Sequence, residues 1–306
     1  MPLKKVIFLV GPTGVGKTRI AVELAVKINA EIISCDSMQI YKGMDIITGK
    51  PQAFLRKKIR HHLIGTVLPK EEYNVSKYRQ EALKKIKEII EKGKTPLFCG
   101  GTGLYVSILL DGIFKARAQN LALRKKLYRQ LEKYGRNYLY KKLKRLDRQA
   151  AKNIHPNDVK RTIRALEVFG ATGKPISELQ KEREGLSKYY ALKIFCLNME
   201  RSALYQRIDG RVDKMFRAGL LKEARRLLNK KLSKTSRYAI GLKELAGYFA
   251  GRYDLAEAKR LIKRNSRHYA KRQLTWFRKD KRIQWFNIQG KDTPAQVAGR
   301  LWKELY

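Results

Sequence analysis

Apolar residues fall into two rhythms along the chain. Four short stretches, Val6-Ile7-Phe8-Leu9-Val10 and residues 31–37, 95–99 and 190–197, centre on apolar runs, the first of them continuous. Each predicts a strand buried on both faces, as in a parallel sheet. Between them the apolar positions recur at helical spacing. Residues 19–25 read as one helix and 75–92 as another, with Tyr78, Ala82, Leu83, Ile86, Ile89 and Ile90 apolar and Gly93 as the stop. From Lys115 a strongly basic helical pattern runs to about Ala150, and His155-Pro156-Asn157-Asp158 then forms a turn or cap ahead of a helix over 159–168, closed at 171–175. Everything after the last strand reads as helical. The alternation predicts an α/β protein, a parallel sheet flanked by helices, with a helical insertion domain over 115–193 set into a core of residues 1–114 and 194–306.

The first strand leads straight into Gly11-Pro12-Thr13-Gly14-Val15-Gly16-Lys17-Thr18, which fills every fixed position of G-x-x-x-x-G-K-[ST]. Glycines let the backbone curl so that successive N–H groups point at an anion, Lys17 adds a point charge, and Thr18 opens a helix whose positive end faces the same place. A strand before and a helix after it make this a P-loop NTPase-like phosphate cradle. The second strand ends on Asp36, which an open α/β sheet places on the rim where ligands gather; a simple turn cap with Ser37 is the other reading. The strand over 95–99 ends in Gly100-Gly101-Thr102-Gly103 rather than in the acid that positions metal and water in nucleotide hydrolases. That weakens an ATPase reading, and the glycines admit something bulky close to the backbone.

Charge changes the picture most. The 306 residues carry 69 Lys and Arg against 27 Asp and Glu, a net +42, and most of the excess lies after residue 114. A polyanion is the partner that such self-repulsion calls for, with a merely solvated surface as the alternative. Arg207, Arg211 and Lys214 share a helix face, and Arg264, Arg267 and Lys271 line another with Tyr269, Trp276 and Phe277 interleaved, a mixture suited to phosphates and unstacked bases. Solvated helices with aromatic core anchors would look similar. Cys35, Cys99 and Cys196 are too far apart for a disulfide ladder or a metal cluster, so they read as small apolar residues in a reducing compartment. The adjacent His61 and His62 read as structural, because only four histidines exist to build a metal site. No apolar run reaches about 18 residues and no signal peptide is evident, so a cytoplasmic protein with no membrane contact is expected. The residues alone leave two chemistries open: group transfer onto an acceptor carried by nucleic acid, with a phosphate group bound or leaving, and a P-loop kinase for a nucleotide or small molecule.

GPTGVGKT at 11–18, DSMQIYKGMDIITGKP at 36–51, HHLIG at 61–65, GGTGLY at 100–105, HPNDVKRTIRALEV at 155–168, RIDGRVDKM at 207–215 and YAKRQLTWFR at 269–278 together resemble the tRNA isopentenyltransferase (tRNA dimethylallyltransferase) family over nearly the whole chain. The resemblance implies transfer of a dimethylallyl group from dimethylallyl diphosphate to the exocyclic amine of the adenosine 3′ of a tRNA anticodon, with prenylation of free AMP as a variant; a monomer would suffice for this. It implies that Gly11, Pro12, Thr13, Gly14, Val15, Gly16, Lys17 and Thr18 hold the donor diphosphate, with Mg²⁺ at Thr18. By position Asp36 matches the general base, Thr13 a loop residue near the donor, and Arg211 the arginine that reaches the diphosphate. Asp36, Ser37, Met38, Gln39, Thr102, Lys160, Arg161, Thr162, Ile163, Arg164 and Arg272 match positions that contact the anticodon loop. Departures from the family pattern fall at Cys35, at Lys160, where a Gln is usual, and in Ile46-Ile47-Thr48-Gly49-Lys50.

Overall fold

A computed structural model describes residues 3–114 and 120–305. Strand β1 (Lys5–Val10) is followed by α1 (Lys17–Lys27), β2 (Ala30–Cys35), α2 (Ala53–Lys58), β3 (His61–His62), α3 (Val75–Glu91), β4 (Thr95–Gly100) and α4 (Gly103–Asp111). Helices α5 (Leu121–Leu146), α6 (Arg148–Asn153), α7 (Val159–Thr172) and α8 (Ile176–Leu179) come next. Then follow β5 (Ala191–Asn198), α9 (Arg201–Arg217), α10 (Leu220–Leu228), α11 (Leu242–Phe249), α12 (Leu255–Phe277), β6 (Gln284–Asn287) and α13 (Pro294–Lys303).

The chain divides into two compact units, Met1–Leu109 with Tyr189–Tyr306, and Leu110–Lys188. In the first, six parallel strands form one sheet in the order β3-β2-β4-β1-β5-β6. Its two central strands are sealed on both faces, with Phe8 of β1 stacked on Phe98 of β4 at 4.6 Å. On one face Ile20, Val22 and Leu24 of α1 and Val297 and Leu301 of α13 pack into a core with Ile7, Leu9, Phe195 and Leu197. Burying such side chains, at roughly 25 cal/mol per Å² of apolar surface, holds the sheet rigid beneath its loops. The strand read from sequence over 190–197 returns to the sheet as β5, so residues 191–193, counted with the insertion by the 193/194 boundary, are part of the sheet. Lys5 pairs with Ala191 and Ile7 with Lys193, so the full length of β1 draws residues 191–193 into the sheet. The other expected boundary, Lys115, lies outside the described residues.

The all-helical reading of the last third misses β6. Gln284 to Asn287 pair with Phe195 to Asn198, and Ile283 and Ile288 at either end are buried. An edge strand of four residues, three of them exposed, has too little apolar patterning to be read from sequence. At the opposite edge, β3 is two residues long, and His62 Nε2 meets Glu31 Oε2 at 2.7 Å while Lys94 Nζ donates to Glu31 Oε1 at 3.0 Å. The histidine pair is structural, as expected.

The second unit is helical, as the pattern predicts. Leu127, Leu139 and Leu143 of α5, Ala150 and Ala151 of α6, and Ile163 and Leu166 of α7 form its core. Asp158 caps α7 by accepting from the Arg161 N–H, and Gly173, at φ +71°, closes it. Asp147 caps α6 through the Ala150 N–H and also accepts from the Ser177 N–H and hydroxyl, which pins α8. Helix α5 is interrupted at Gly135, where φ is +76° and ψ 173°.

Candidate active site

The phosphate loop sits where β1 ends. Gly11, Gly14 and Gly16 have φ of +140°, +84° and +101°, a path that L side chains rarely follow. Space enforces two of them: a Cβ on Gly11 would lie 2.6 Å from the Leu197 carbonyl oxygen, and one on Gly14 2.6 Å from Ile208 Cγ1. The intervening Val15 is fully buried and anchors the loop in the core. Lys17 Nζ donates to the carbonyls of Gly11, at 2.9 Å, and Pro12, at 2.7 Å. Burial pulls its ammonium from 10.5 down to about 8, against the favourable charge of Asp36.

Thr13 is held from two sides. Its hydroxyl accepts from Arg211 Nη1 at 2.6 Å, and its N–H donates to Gln273 Oε1 at 2.8 Å. Arg211 reaches the loop from α9 and also lies against Gly49, where a Cβ would fall 1.8 Å from its Nη2. Burial depresses this guanidinium below its usual value and Asp36 opposes that, so the two groups share one electrostatic environment. The arginine and the loop threonine that the sequence pairs only by resemblance are therefore in direct contact.

Asp36 follows β2 and does both things the sequence allowed. Its Oδ1 accepts from the N–H groups of Met38, at 2.9 Å, and Gln39, at 3.4 Å, which makes an Asx turn. Its Oδ2 receives no hydrogen bond among the described residues. Thr102 supports the same turn: its Oγ1 accepts from the Ser37 N–H at 3.0 Å, and its own N–H donates to the Cys35 carbonyl. Gln39 bonds Ser34 Oγ and the Gly49 carbonyl, tying the turn to residues 46–50. Tyr269 sits beside Thr102 and Asp36, where burial and then the Asp36 charge raise its phenol. Arg272 is exposed, with its guanidinium 5.6 Å from the Tyr269 ring centre.

The glycines after β4 receive bulk from the protein itself. A Cβ on Gly100 would strike the Cys35 carbonyl, one on Gly101 would fall 2.1 Å from Gln273 Nε2, and one on Gly103 2.3 Å from the Trp276 ring. On α12, the half-buried Trp276 donates to Ser107 Oγ and packs over Gly103, and Phe277 is buried in the core. Of the basic face expected on the same helix, Arg267 is bound to Asp209 at 2.6 Å.

In the second unit, Lys160, Arg161 and Arg164 stand on the first turns of α7 with exposed or half-exposed side chains, Arg161 beside Asp158 and Arg164 bound to Glu167. Thr162 and Ile163 correct the expectation for this segment. Thr162 is buried with its hydroxyl given to the Asp158 carbonyl, and Ile163 packs in the helical core, so neither side chain can touch an RNA. The helical period turns these two inward while it turns 160, 161 and 164 outward.

Two residues escaped the sequence reading. Gln273 lies in a run whose aromatics drew attention, and its spacing of three from Trp276 was the available signal. Glu223 of α10 accepts from the N–H groups of Asp45, Ile46 and Ile47 at 3.1, 3.0 and 2.8 Å, which orders the loop that carries Gly49 to Arg211; no local pattern announces that contact.

Among the described residues no three His, Cys, Asp or Glu side chains converge as a metal cage. Thr18 opens α1 beside the loop; a magnesium ion there would need phosphate oxygens and water for its remaining ligands, as is usual with phosphate substrates.

A parallel sheet with this loop at the carboxyl end of β1 and a carboxylate at the end of β2 defines an α/β protein of P-loop-like fold. The IPP transferase family model matches residues 39–280, and the chain belongs to that family. It is 47% identical over 301 residues to the tRNA dimethylallyltransferase of Thermotoga maritima, covering 98% of this chain and 97% of that one. The crystal structure of the full-length tRNA isopentenylpyrophosphate transferase of Bacillus halodurans is 40% identical, with a TM-score of 0.72 over 99% of this chain and 97% of that one. A eukaryotic dimethylallyltransferase crystallised acting on tRNA is 32% identical, with a TM-score of 0.80 over 94% of this chain and 74% of that one.

Proposed function

We propose that this protein transfers the dimethylallyl group of dimethylallyl diphosphate to the exocyclic amine of the adenosine 3′ of the anticodon in tRNA. The observation that carries the reading is the pairing of two half-sites on one rim: a cationic loop built for an anion, and Asp36 with one oxygen fixed and the other available. The amine nitrogen forms a bond to C1 of the donor, the C1–O bond breaks, diphosphate leaves with the electron pair, and the amine proton passes to Asp36. Lys17, Arg211 and the loop N–H groups offset charge that grows on the leaving diphosphate, which is where fixed donors accelerate most. Thr18 would hold a magnesium ion beside the donor, which would supply Lewis-acid assistance to the leaving diphosphate. Ser37, Met38, Gln39, Thr102 and Arg272, with Lys160, Arg161 and Arg164, are the residues assigned to tRNA. The protein acts as a monomer in the cytoplasm.

The test is nucleoside mass spectrometry of tRNA incubated with the protein, dimethylallyl diphosphate and Mg²⁺. Prenylated adenosine is expected at that position, and Asp36→Asn lowers the transfer rate by at least about 100-fold while tRNA affinity is kept. Equal transfer to free AMP, or unimpaired Asp36→Asn, overturns the substrate and the base assignment respectively.

A further inference from the structure

Gln273 hydrogen-bonds to both halves of the site. Its Oε1 accepts from the Thr13 N–H at 2.8 Å and its Nε2 donates to the Gly101 carbonyl at 2.8 Å. The amide is 5% exposed, so both bonds are sheltered from water, and removing either partner strands a buried polar group. Thr13 belongs to the loop that faces the diphosphate. Gly101 is followed by Thr102, which holds the Asp36 turn through Ser37. The bridge therefore runs from loop 11–18 through helix α12 to the turn that carries the carboxylate. Gly101 has no side chain because the amide occupies that place, and Gly103 yields to Trp276 three residues further along the same helix.

From this geometry we infer that Gln273 is a positioning residue that sets the distance between the leaving diphosphate and the acceptor amine. The inference rests on the prenyl-transfer reading above. Gln273 acts through Thr13 and Thr102 rather than on substrate. Each half-site keeps its own binding groups without it: Lys17 and Arg211 for the donor, the Asp36 turn for the acceptor. What is lost is their register, which counts only when both reactants meet in line.

Three variants test this: Gln273→Met, which keeps volume and loses both bonds; Gln273→Glu, which can accept from Thr13 but cannot donate to Gly101; and Gly101→Ala, whose methyl displaces the amide without altering it. For each, kcat is expected to fall about 10- to 100-fold, while the dissociation constants for dimethylallyl diphosphate alone and tRNA alone stay within about threefold. The double variant Gly101→Ala/Gln273→Met is expected to lose no more than the worse single variant, since all break one bridge. Hydrogen exchange at the Thr13 amide, expected to quicken in Gln273→Met and Gly101→Ala, where its acceptor is lost or displaced, and to stay slow in Gln273→Glu, reads the bridge without any catalysis. Unchanged kcat, a binary affinity that falls in step with kcat, multiplicative losses in the double variant, or unaltered Thr13 exchange in Gln273→Met and Gly101→Ala overturns the inference. A wild-type protein that prenylates no tRNA overturns the prenyl-transfer reading instead, and the exchange measurement still decides the bridge.

Discussion

Burial pulls Lys17 from 10.5 down to about 8, so its charge is in question within the range where enzymes are assayed. The sign is set by which form each state wants. An anion needs the ammonium, and the ammonium is complete only below about 8. Donor affinity is therefore expected to fall as pH rises through about 8, whereas an ordinary lysine would hold its proton to about 10.4. Dimethylallyl diphosphate is suited to the titration because a phosphate ester whose last ionisation lies near 6 is already fully charged there. Calorimetric titration from about pH 7 to about pH 9.5 measures it; a wild-type affinity that stays flat, or a Lys17→Met protein with the same slope, contradicts the assignment. The same shift makes protonated Lys17 a cost to folding that is relieved as pH rises toward 10.5. The loop could be read at once because its eight residues are consecutive and each fixed position has a local backbone reason. Gln273 could not, because its partner Thr13 is 260 positions away and a glutamine amide carries no signature of where it points.

Elements were legible in proportion to how much of their surface they bury. Strands β1, β2, β4 and the second half of β5 are largely buried by neighbours and centre on apolar runs. Edge strands β3 and β6 are two and four residues long and do not. Strand β3 keeps its place through a buried charge: burial pushes the Glu31 carboxyl up, but hydrogen bonds from His62 and Lys94 outweigh it and hold it below 4.5. Burial pushes the His62 imidazole down against the pull of Glu31, so the ionised partner of Glu31 is Lys94, and a neutral His62 donates through Nε2. A depressed carboxyl stabilises the fold at neutral pH and loses that contribution as pH falls. Glu31→Gln is accordingly expected to cost about 2 kcal/mol near neutral pH, with the gap to wild type closing as pH drops below 4.5. Chemical denaturation at several pH values checks this, and a gap that does not depend on pH removes the carboxylate from the account. Helix phase is also legible at α7, where Thr162 and Ile163 fall on the inward side with Ala165 and Leu166.

At the scale of the whole molecule, the net +42 already counts all 27 acids, and many of those acids are engaged within the fold. Asp209 holds Arg267, Asp213 holds Lys259 and Lys263, Glu257 holds Arg260, and Glu223 and Asp147 bind backbone N–H groups. Few carboxylates remain to neutralise the other basic side chains, and residues 115–195 alone carry 22 basic against 7 acidic groups. A prenyl diphosphate bears too little charge to account for this, whereas a tRNA stem presents a phosphate on every nucleotide. Binding to RNA should then be driven in large part by counterion release, with affinity falling by roughly 0.7 to 0.9 log units per log unit of salt for each phosphate neutralised. With about seven contacts the log–log slope is about −5 or steeper. Filter binding of unmodified tRNA from about 50 to about 200 mM salt measures it directly. Paired substitution of Lys160 and Arg164 by glutamine should make the slope shallower by about two units if each meets one phosphate. A slope near zero in wild type would mean that the basic surface serves a purpose other than gripping the RNA backbone, and an unchanged slope in the double variant would move the contacts away from α7.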